Sequence, residues 1–551
     1  MRDTFHDLET YSPEPINNGS HRYAEKAEVL LWAYADGDGD IKVWDVANGY
    51  VHWQDELTGL WEEQYIGKPF PPQSLTEILH DPEAAVWFHN GGMFDFVVLQ
   101  HAMPELLKLV DISRWRDTMV QAFAHALPGA LEKLGEVLNL HEDRRKIADG
   151  KKLVRLFCMP QNEDFKKKFG TDRATKATHP AEWQRFVQYA GGDIVTMREV
   201  RRIMPSWNYK DKQLLLWHTD LKINNRGFAV DLELAKHAVT AATLIQDRLS
   251  RRVQVATDDE VGSATQRDAM LDFLQPLCAE FGVELPDLKA DTLERRLEDP
   301  DLPDYIKDLL RIRLEASMNS VSKFKTLLKR VSSDGRLRGS MQFRGAGRTG
   351  RWAHRGFQPG NLPRPSLSHE LIEFAIECIK ADDVDAMELV FPNLMLAISN
   401  TIRGAIVAAE GKKLVVADLS NIEGRVAAWL AGEDWKLQAF RDFDTILIGE
   451  DGEPLRDKKG KPARKGVDLY IKAYMSSFNV EDPSTVDKDK RQIGKVEELM
   501  FQYGGGVGAW LTGAATYGID LSAMTESVWN TIPEWAKLEA ADFLHWLYEQ
   551  N

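Results

Sequence analysis

Residues 5–11, FHDLETY, set Asp7 and Glu9 two positions apart in a run whose neighbours suit a β-strand. Side chains alternate between the faces of a strand, so both carboxylates point the same way. A lone Asp-x-Glu carries little information. Two further stretches give it meaning. WFHNGGMFDFVVL (87–99) offers Asn90 and Asp95, and RFVQYAGGDIV (185–195) places Tyr189 and Asp193 four apart, on one face of a helix. Four carboxylates drawn to one point repel each other unless divalent cations neutralise them. An oxygen-only donor set without His or Cys selects Mg²⁺, with Mn²⁺ as the alternative. Two such ions about 4 Å apart suit in-line attack of water on a phosphodiester.

Outward from these stretches, residues 1–205 read as α/β. Strand-like runs (AEVLLWAYA, IKVWDV, AAVWFHN) and turn signals such as DGDGD give way to helical patterns such as LEKLGEVLNL. The Pro-containing break RRIMPSWNYKDK marks a boundary near 205. Residues 231–330 carry apolar positions at helical spacing. From Asn319 to Arg355 there are ten Lys or Arg against one acid, Asp334. GKKLVVADLSNIEGRVAAWLAG (411–432) reads as a buried strand that delivers Asp418 at its end, then a turn and a helix. EDGEPLRDKKGKPAR (450–464) reads as an exposed hairpin or loop, and the segment from about 468 as mostly helical, with a stop at Gly504–Gly506.

The 551 residues suffice for three to four domains at about 150 residues each. No apolar run is long enough to span a membrane. The opening MRDTFHDLET lacks the marks of a signal peptide, and three scattered cysteines (Cys158, Cys278, Cys378) fit a reducing cytoplasm, in a host cell if the chain is phage-encoded. With a net charge of −16, any nucleic-acid binding must rest on a local basic stripe such as 319–355.

The order DxE, NxxxFD, YxxxD resembles the DnaQ-like 3′–5′ exonuclease domain of proofreading DNA polymerases. The resemblance implies an RNase H-like fold over 1–205, metal ligation by Asp7, Glu9, Asp95 and Asp193, a water-orienting Tyr189, and an Asn90 that positions the strand end.

Three later segments resemble family A DNA polymerases, the polymerase I class. GAGRTGRWAHRGFQPGNLPRP (345–365) is similar to the TGR…QN-x-P motif. This implies that Arg351 contacts the primer terminus and that Gln358 and Asn361 lie along the duplex, although Gly360 stands where the family has Gln. VVADLSNIEGR (415–425) resembles motif A, implying Asp418 as a metal ligand, Glu423 as the residue that excludes a ribose 2′-hydroxyl, and Arg425 as a supporting charge. KRQIGKVEELMFQYGGG (490–506) supplies Arg491, Lys495, Leu499 and Tyr503 at steps of four, one slowly turning helix stripe. It resembles motif B, implying triphosphate binding by Arg491 and Lys495 and a Tyr503 near the templating base, with Leu499 replacing an aromatic.

The implied architecture is α/β plus α+β: an exonuclease domain (1–205), then a right-hand polymerase module (206–551) with thumb about 231–335, palm about 336–440 and fingers about 468–551. The implied partners are primer-template DNA and dNTPs, and the wording of the motifs looks like the bacteriophage branch. One element is missing. Family A needs a second palm carboxylate in an H-D-E motif after motif B, and no His-Asp pair follows Gly504. Two readings stay open: the N-terminal part of a split or truncated polymerase, completed by a second polypeptide, or an exonuclease with a non-catalytic primer-template clamp.

Overall fold

The computed structural model describes residues 1–54, 60–68, 70–140, 150–318, 321–457, 460–516, 519 and 533–541. Two compact units divide the chain at Leu414 and Val415.

The first unit opens with seven strands: β1 (Arg2–Tyr11), β2 (Glu28–Asp36), β3 (Lys42–Asp45), β4 (Tyr50–Gln54), β5 (Trp61–Tyr65), β6 (Ala84–Phe88) and β7 (Trp115–Asp117). They form one sheet in the order β5-β4-β3-β2-β1-β6-β7. β1 to β5 run as an antiparallel meander, while β6 and β7 join parallel. A parallel step needs a crossover, and helix α1 (Asp95–Ala102) lies between β6 and β7. Helices α2 (Thr118–Ala124), α3 (Gly150–Phe157) and α4 (Pro180–Ile203) follow, with α4 packed on β1 and β2. Proline at the first position of α4 suits a helix start, and Pro205 bars continuation beyond Met204. The Pro-containing stretch thus ends a helix, while the first compact unit continues past it to Leu414. Trp32, Trp44, Phe88, Trp115, Phe157 and Phe186 are fully buried in the core, each contributing about 2–3 kcal/mol by leaving water.

Helix α5 (Asp211–Arg226) and strand β8 (Phe228–Val230) lead into a second, helical core built on α6 (Leu232–Ala256), α7 (Asp304–Ala316) and α8 (Ser322–Arg330). The expected helical stretch from 231 is present. After β9 (Arg336–Leu337) the basic segment folds into a hairpin of β10 (Met341–Ala346) and β11 (Arg351–His354). Helices α9 (His369–Lys380) and α10 (Leu394–Asn400) and strand β12 (Ile406–Val407) complete the unit, with β12, β8 and β9 in one small sheet.

The second unit contains α11 (Ile422–Ala431), α12 (Asp434–Asp444), α13 (Leu469–Ser477), α14 (Lys488–Phe501) and α15 (Val507–Thr516). Between α12 and α13 the chain forms an exposed loop with isolated bridges such as Ile446↔Arg464; Lys458 and Lys459 lie outside the described residues. So do 517–518, 520–532 and 542–551 of the segment read as helical.

Two expectations are corrected. The buried strand before Asp418 does not form: 412–419 carry no strand, and Val415 and Val416 are 83% and 90% exposed. No strand among the described residues pairs with this segment, and an isolated strand cannot satisfy its own backbone groups. The stripe of motif B is also shorter than its spacing suggested. Helix α14 carries Arg491, Lys495 and Leu499 but stops at Phe501, so Tyr503 lies in the following turn, where the Gly504 N–H donates to the Phe501 carbonyl (2.9 Å).

Candidate active site

The alternation of β1 brings Asp7 and Glu9 to one face, and the middle of α4 brings Asp193 to meet them. One carboxylate oxygen from each lies within 4.8 Å of the others. Asp95, the first residue of α1, is 2% exposed, and its Oδ1 is buried with no hydrogen-bond partner. Burial and the neighbouring charges of Asp7 and Asp117 push its carboxyl well above the usual carboxylate range. A buried acid oxygen left unsatisfied among repelling neighbours is what a divalent cation would relieve, and the donors are hard oxygens. The residues present therefore fit Mg²⁺ or Mn²⁺.

Tyr189 lies one turn before Asp193 on α4, and the two side chains share a hydrogen bond. Burial, then the charges of Glu9, Asp193 and Asp7, push its phenol up, so it stays protonated and able to donate. The sequence alternation holds on the other face of β1. His6 is buried and stacked on Phe88 (5.4 Å), and burial together with Arg114 lowers it to about 3, leaving it a neutral core residue.

Asn90 adopts a left-handed φ of 65° in the turn that precedes α1. Asp117 fixes that turn. Its carboxylate accepts the backbone N–H groups of Asn90 (3.1 Å) and Gly92 (3.2 Å), and as the N-cap of α2 also those of Met119 (2.8 Å) and Val120 (3.3 Å). Burial pushes Asp117 up to about 6, against the opposing pull of these four bonds. Cys158 donates to Glu9, with Sγ 3.8 Å from Oε2.

Two cavities meet at the carboxylates. The larger, about 820 Å³, is bounded by Asp7, Asn90, Tyr189 and Asp193, with Lys151, Arg155 and Gln342 also on its wall. The smaller, about 540 Å³, shares Asp7, Tyr189 and Asp193 and adds Glu9, Asp95 and Cys158. Volumes of this size accommodate a nucleotide. Asp117, Cys158 and Gln342 escaped the sequence reading. An N-cap signal at Asp117-Thr118 was available, whereas nothing local marks Cys158 or Gln342.

The remaining site residues fall in both units. In the first, Arg351 opens β11, and Gln358 takes a left-handed φ of 55° and accepts from Lys323 Nζ (2.7 Å). Asn361 ends the 3₁₀ turn from Pro359. Gly360, the departure from the family pattern, has a physical reason here: a Cβ at that position would run into the His354 imidazole.

In the second unit Asp418 lies in the exposed segment before α11. Glu423, in the first turn of α11, accepts a short hydrogen bond from the Tyr503 hydroxyl. Arg425 makes a two-pronged pair with Asp444 (2.6 and 2.9 Å). Arg491 Nε donates to Asp468 Oδ2 (2.5 Å), the N-cap of α13, and its guanidinium lies over Tyr470. Lys495 and Leu499 follow on α14.

No family model matches the chain. It is 29% identical over 547 residues to the DNA polymerase of Bacillus phage SP02, an alignment covering 97% of this chain and 76% of that protein. Among solved structures, it is similar to the POL domain of Pol1 from M. smegmatis, determined in complex with DNA primer-template and dNTP. The TM-score is 0.51 at 17% identity, over 95% of this chain and 72% of that one. The chain thus has a phage DNA polymerase as a homologue and shares the fold of a polymerase I polymerase domain.

Proposed function

We propose that this chain is a DNA-directed DNA polymerase of the phage type that proofreads with a 3′–5′ exonuclease. The exonuclease occupies the RNase H-like region 1–205, and the family A module occupies 206–551. The observation that carries the reading is the meeting of Asp7, Glu9 and Asp193 beside the buried, unpartnered Asp95 oxygen. The phage homologue supports the polymerase half.

Asp7, Glu9, Asp95 and Asp193 would hold the divalent ions, which supply an activated water and neutralise the scissile phosphate. The chain's own groups do the rest. Tyr189, kept protonated, offers a donor to the attacking water. Asn90, held by Asp117, grips the strand end. Lys151 and Arg155 draw backbone phosphates toward an otherwise acidic cavity.

For synthesis, Asp418 is the palm metal ligand, Arg491 and Lys495 bind the triphosphate, and Glu423 excludes the ribose 2′-hydroxyl. Arg351, Gln358, Asn361 and Arg425 hold primer-template, and Leu499 and Tyr503 flank the nascent pair. No His-Asp pair follows Gly504, and in this reading a second polypeptide supplies the second palm carboxylate. That same observation favours the second reading, an exonuclease with a non-catalytic clamp.

The test is the double variant Asp7→Ala/Glu9→Ala, assayed on labelled single-stranded DNA in Mg²⁺. Degradation should vanish while DNA binding in Ca²⁺ persists; degradation at the original rate would refute the site. Primer extension with and without a fragment bearing an H-D-E motif separates the two readings. Restored extension supports the polymerase, and none supports the clamp.

A further inference from the structure

The basic hairpin β10–β11 belongs by sequence to the primer-template segment, yet it contributes Gln342 to the wall of the carboxylate cavity. Its apolar side is anchored on the seven-stranded α/β core. Phe343 is 4% exposed within that core, and Trp352 packs edge-on against it at 5.2 Å. Trp352 Nε1 donates to Asp220 (2.7 Å) and Arg344 to Gln213 (2.7 Å), both on α5. Gln342 shares the wall of the 820 Å³ cavity with Asp7, Asn90, Tyr189 and Asp193. Its Oε1 accepts from Arg355 Nε (2.9 Å), just past the facing strand, so the Gln342 side chain is held in place at the rim.

The charge follows the same line. Arg348, Arg351 and Arg355 are exposed along the hairpin, which contains no acid between Met341 and Arg355. The cavity beyond is lined by carboxylates that repel a phosphate chain. Arg355 sits on the Gln342 side chain at that wall, and the other exposed cations of the same hairpin add to its attraction for a DNA strand, each phosphate neutralised releasing counterions.

We propose that the hairpin is a strand guide for the exonuclease cavity, with Gln342 and Arg355 as the residues that seat the incoming single strand. This rests on the nuclease reading of Asp7, Glu9, Asp95 and Asp193. It gives the segment a second role beside holding primer-template: a primer end loosened from the duplex stays on the same cations while it enters the nuclease centre. Gln342 and Arg355 are positioning residues and touch no reacting atom.

The test uses the full chain and a short labelled oligodeoxythymidylate. Gln342→Glu keeps the size of the side chain and adds a negative charge at the rim; Arg355→Gln removes one positive charge from an exposed site. Both should raise the KM for degradation about five- to tenfold with kcat changed less than about twofold, the signature of lost substrate binding. Arg355→Gln should also reduce the slope of log affinity against log salt by about one, measured as binding in Ca²⁺. Arg441→Ala, an exposed cation on α12, serves as the charge control and should change neither.

An unchanged KM and salt slope would overturn the guide, as would a fall in kcat alone or an equal effect from Arg441→Ala. Asp7→Ala is run beside them. If it abolishes degradation while the hairpin variants behave like the parent, the guide fails and the nuclease reading stands. If degradation survives Asp7→Ala, the nuclease reading itself fails.

Discussion

The indole N–H of Trp352 donates a 2.7 Å hydrogen bond to Oδ1 of Asp220, tying the basic hairpin to helix α5 across 132 positions of sequence. Asp220 is 3% exposed and also accepts from Asn224 Nδ2 (3.1 Å). Burial outweighs these bonds and raises its carboxyl to about 6.

An acid held protonated in the fold but ionised in the unfolded chain takes up a proton on folding. Its favourable contribution is present at low pH and is lost as pH rises from about 4 to about 6. A shift of this size corresponds to at most about 3 kcal/mol. Asp220→Asn should remove this part of the pH dependence, so denaturant titrations at pH 4 and pH 7 should differ less for the variant than for the parent. An identical pH profile for both would place the raised carboxyl elsewhere.

Asp117 is the hinge pin of the Asn90 turn. Asp117→Ala leaves four backbone N–H groups without their acceptor, and a loss of about 2–4 kcal/mol follows from buried donors left unmade. Exonuclease activity should fall with it, through a displaced Asn90. Chemical denaturation together with nuclease assays of the folded fraction checks both parts, and full activity in that fraction would remove Asp117 from the site.

Gly150 starts α3 directly against the Tyr189 ring, where an added Cβ would collide with ring carbons. Overpacking of this kind costs about 1–3 kcal/mol. Gly150→Val should push the phenol away from Asp193, reducing kcat for DNA degradation by roughly tenfold or more for a displaced water-positioning group. DNA binding should persist. Unchanged kcat would mean Tyr189 takes no part.

Tyr503 and Glu423 are joined by a hydrogen bond although 80 residues apart. Where extension is reconstituted, Glu423→Ala should raise ribonucleotide incorporation relative to deoxyribonucleotide. Tyr503→Phe, which removes one hydrogen bond to the Glu423 carboxylate, should raise it less. Competition assays with paired nucleotides measure the ratio, and an unchanged ratio in both variants would place the sugar gate elsewhere.

The parts of the site that follow from local periodicity were legible in the sequence. Asp7 and Glu9 share a strand face by alternation, and Tyr189 and Asp193 share a helix face by their spacing of four. What could not be read depends on distant packing. LVVA before Asp418 has the composition of a buried strand, but burial requires a neighbouring strand, and composition cannot supply one. Gln342 reaches the carboxylate cavity because Phe343 and Trp352 pack on a core formed by residues far away in the chain. Tyr503 left its expected stripe because the helix closes two residues earlier, at Phe501.

Leu414, Val415 and Val416 stand 54%, 83% and 90% exposed, the two valines β-branched, with backbone groups that no strand among the described residues engages. Such a run is a template for unwanted self-association. Its flanks oppose this: Lys412 and Lys413 on one side and Asp418 on the other bracket the apolar residues with charge, as gatekeepers do. The handling of the protein follows from this bracket. Neutralising Asp418 or the two lysines should lower solubility and increase concentration-dependent aggregation, and high salt, which screens the bracket, should do the same to the unaltered chain.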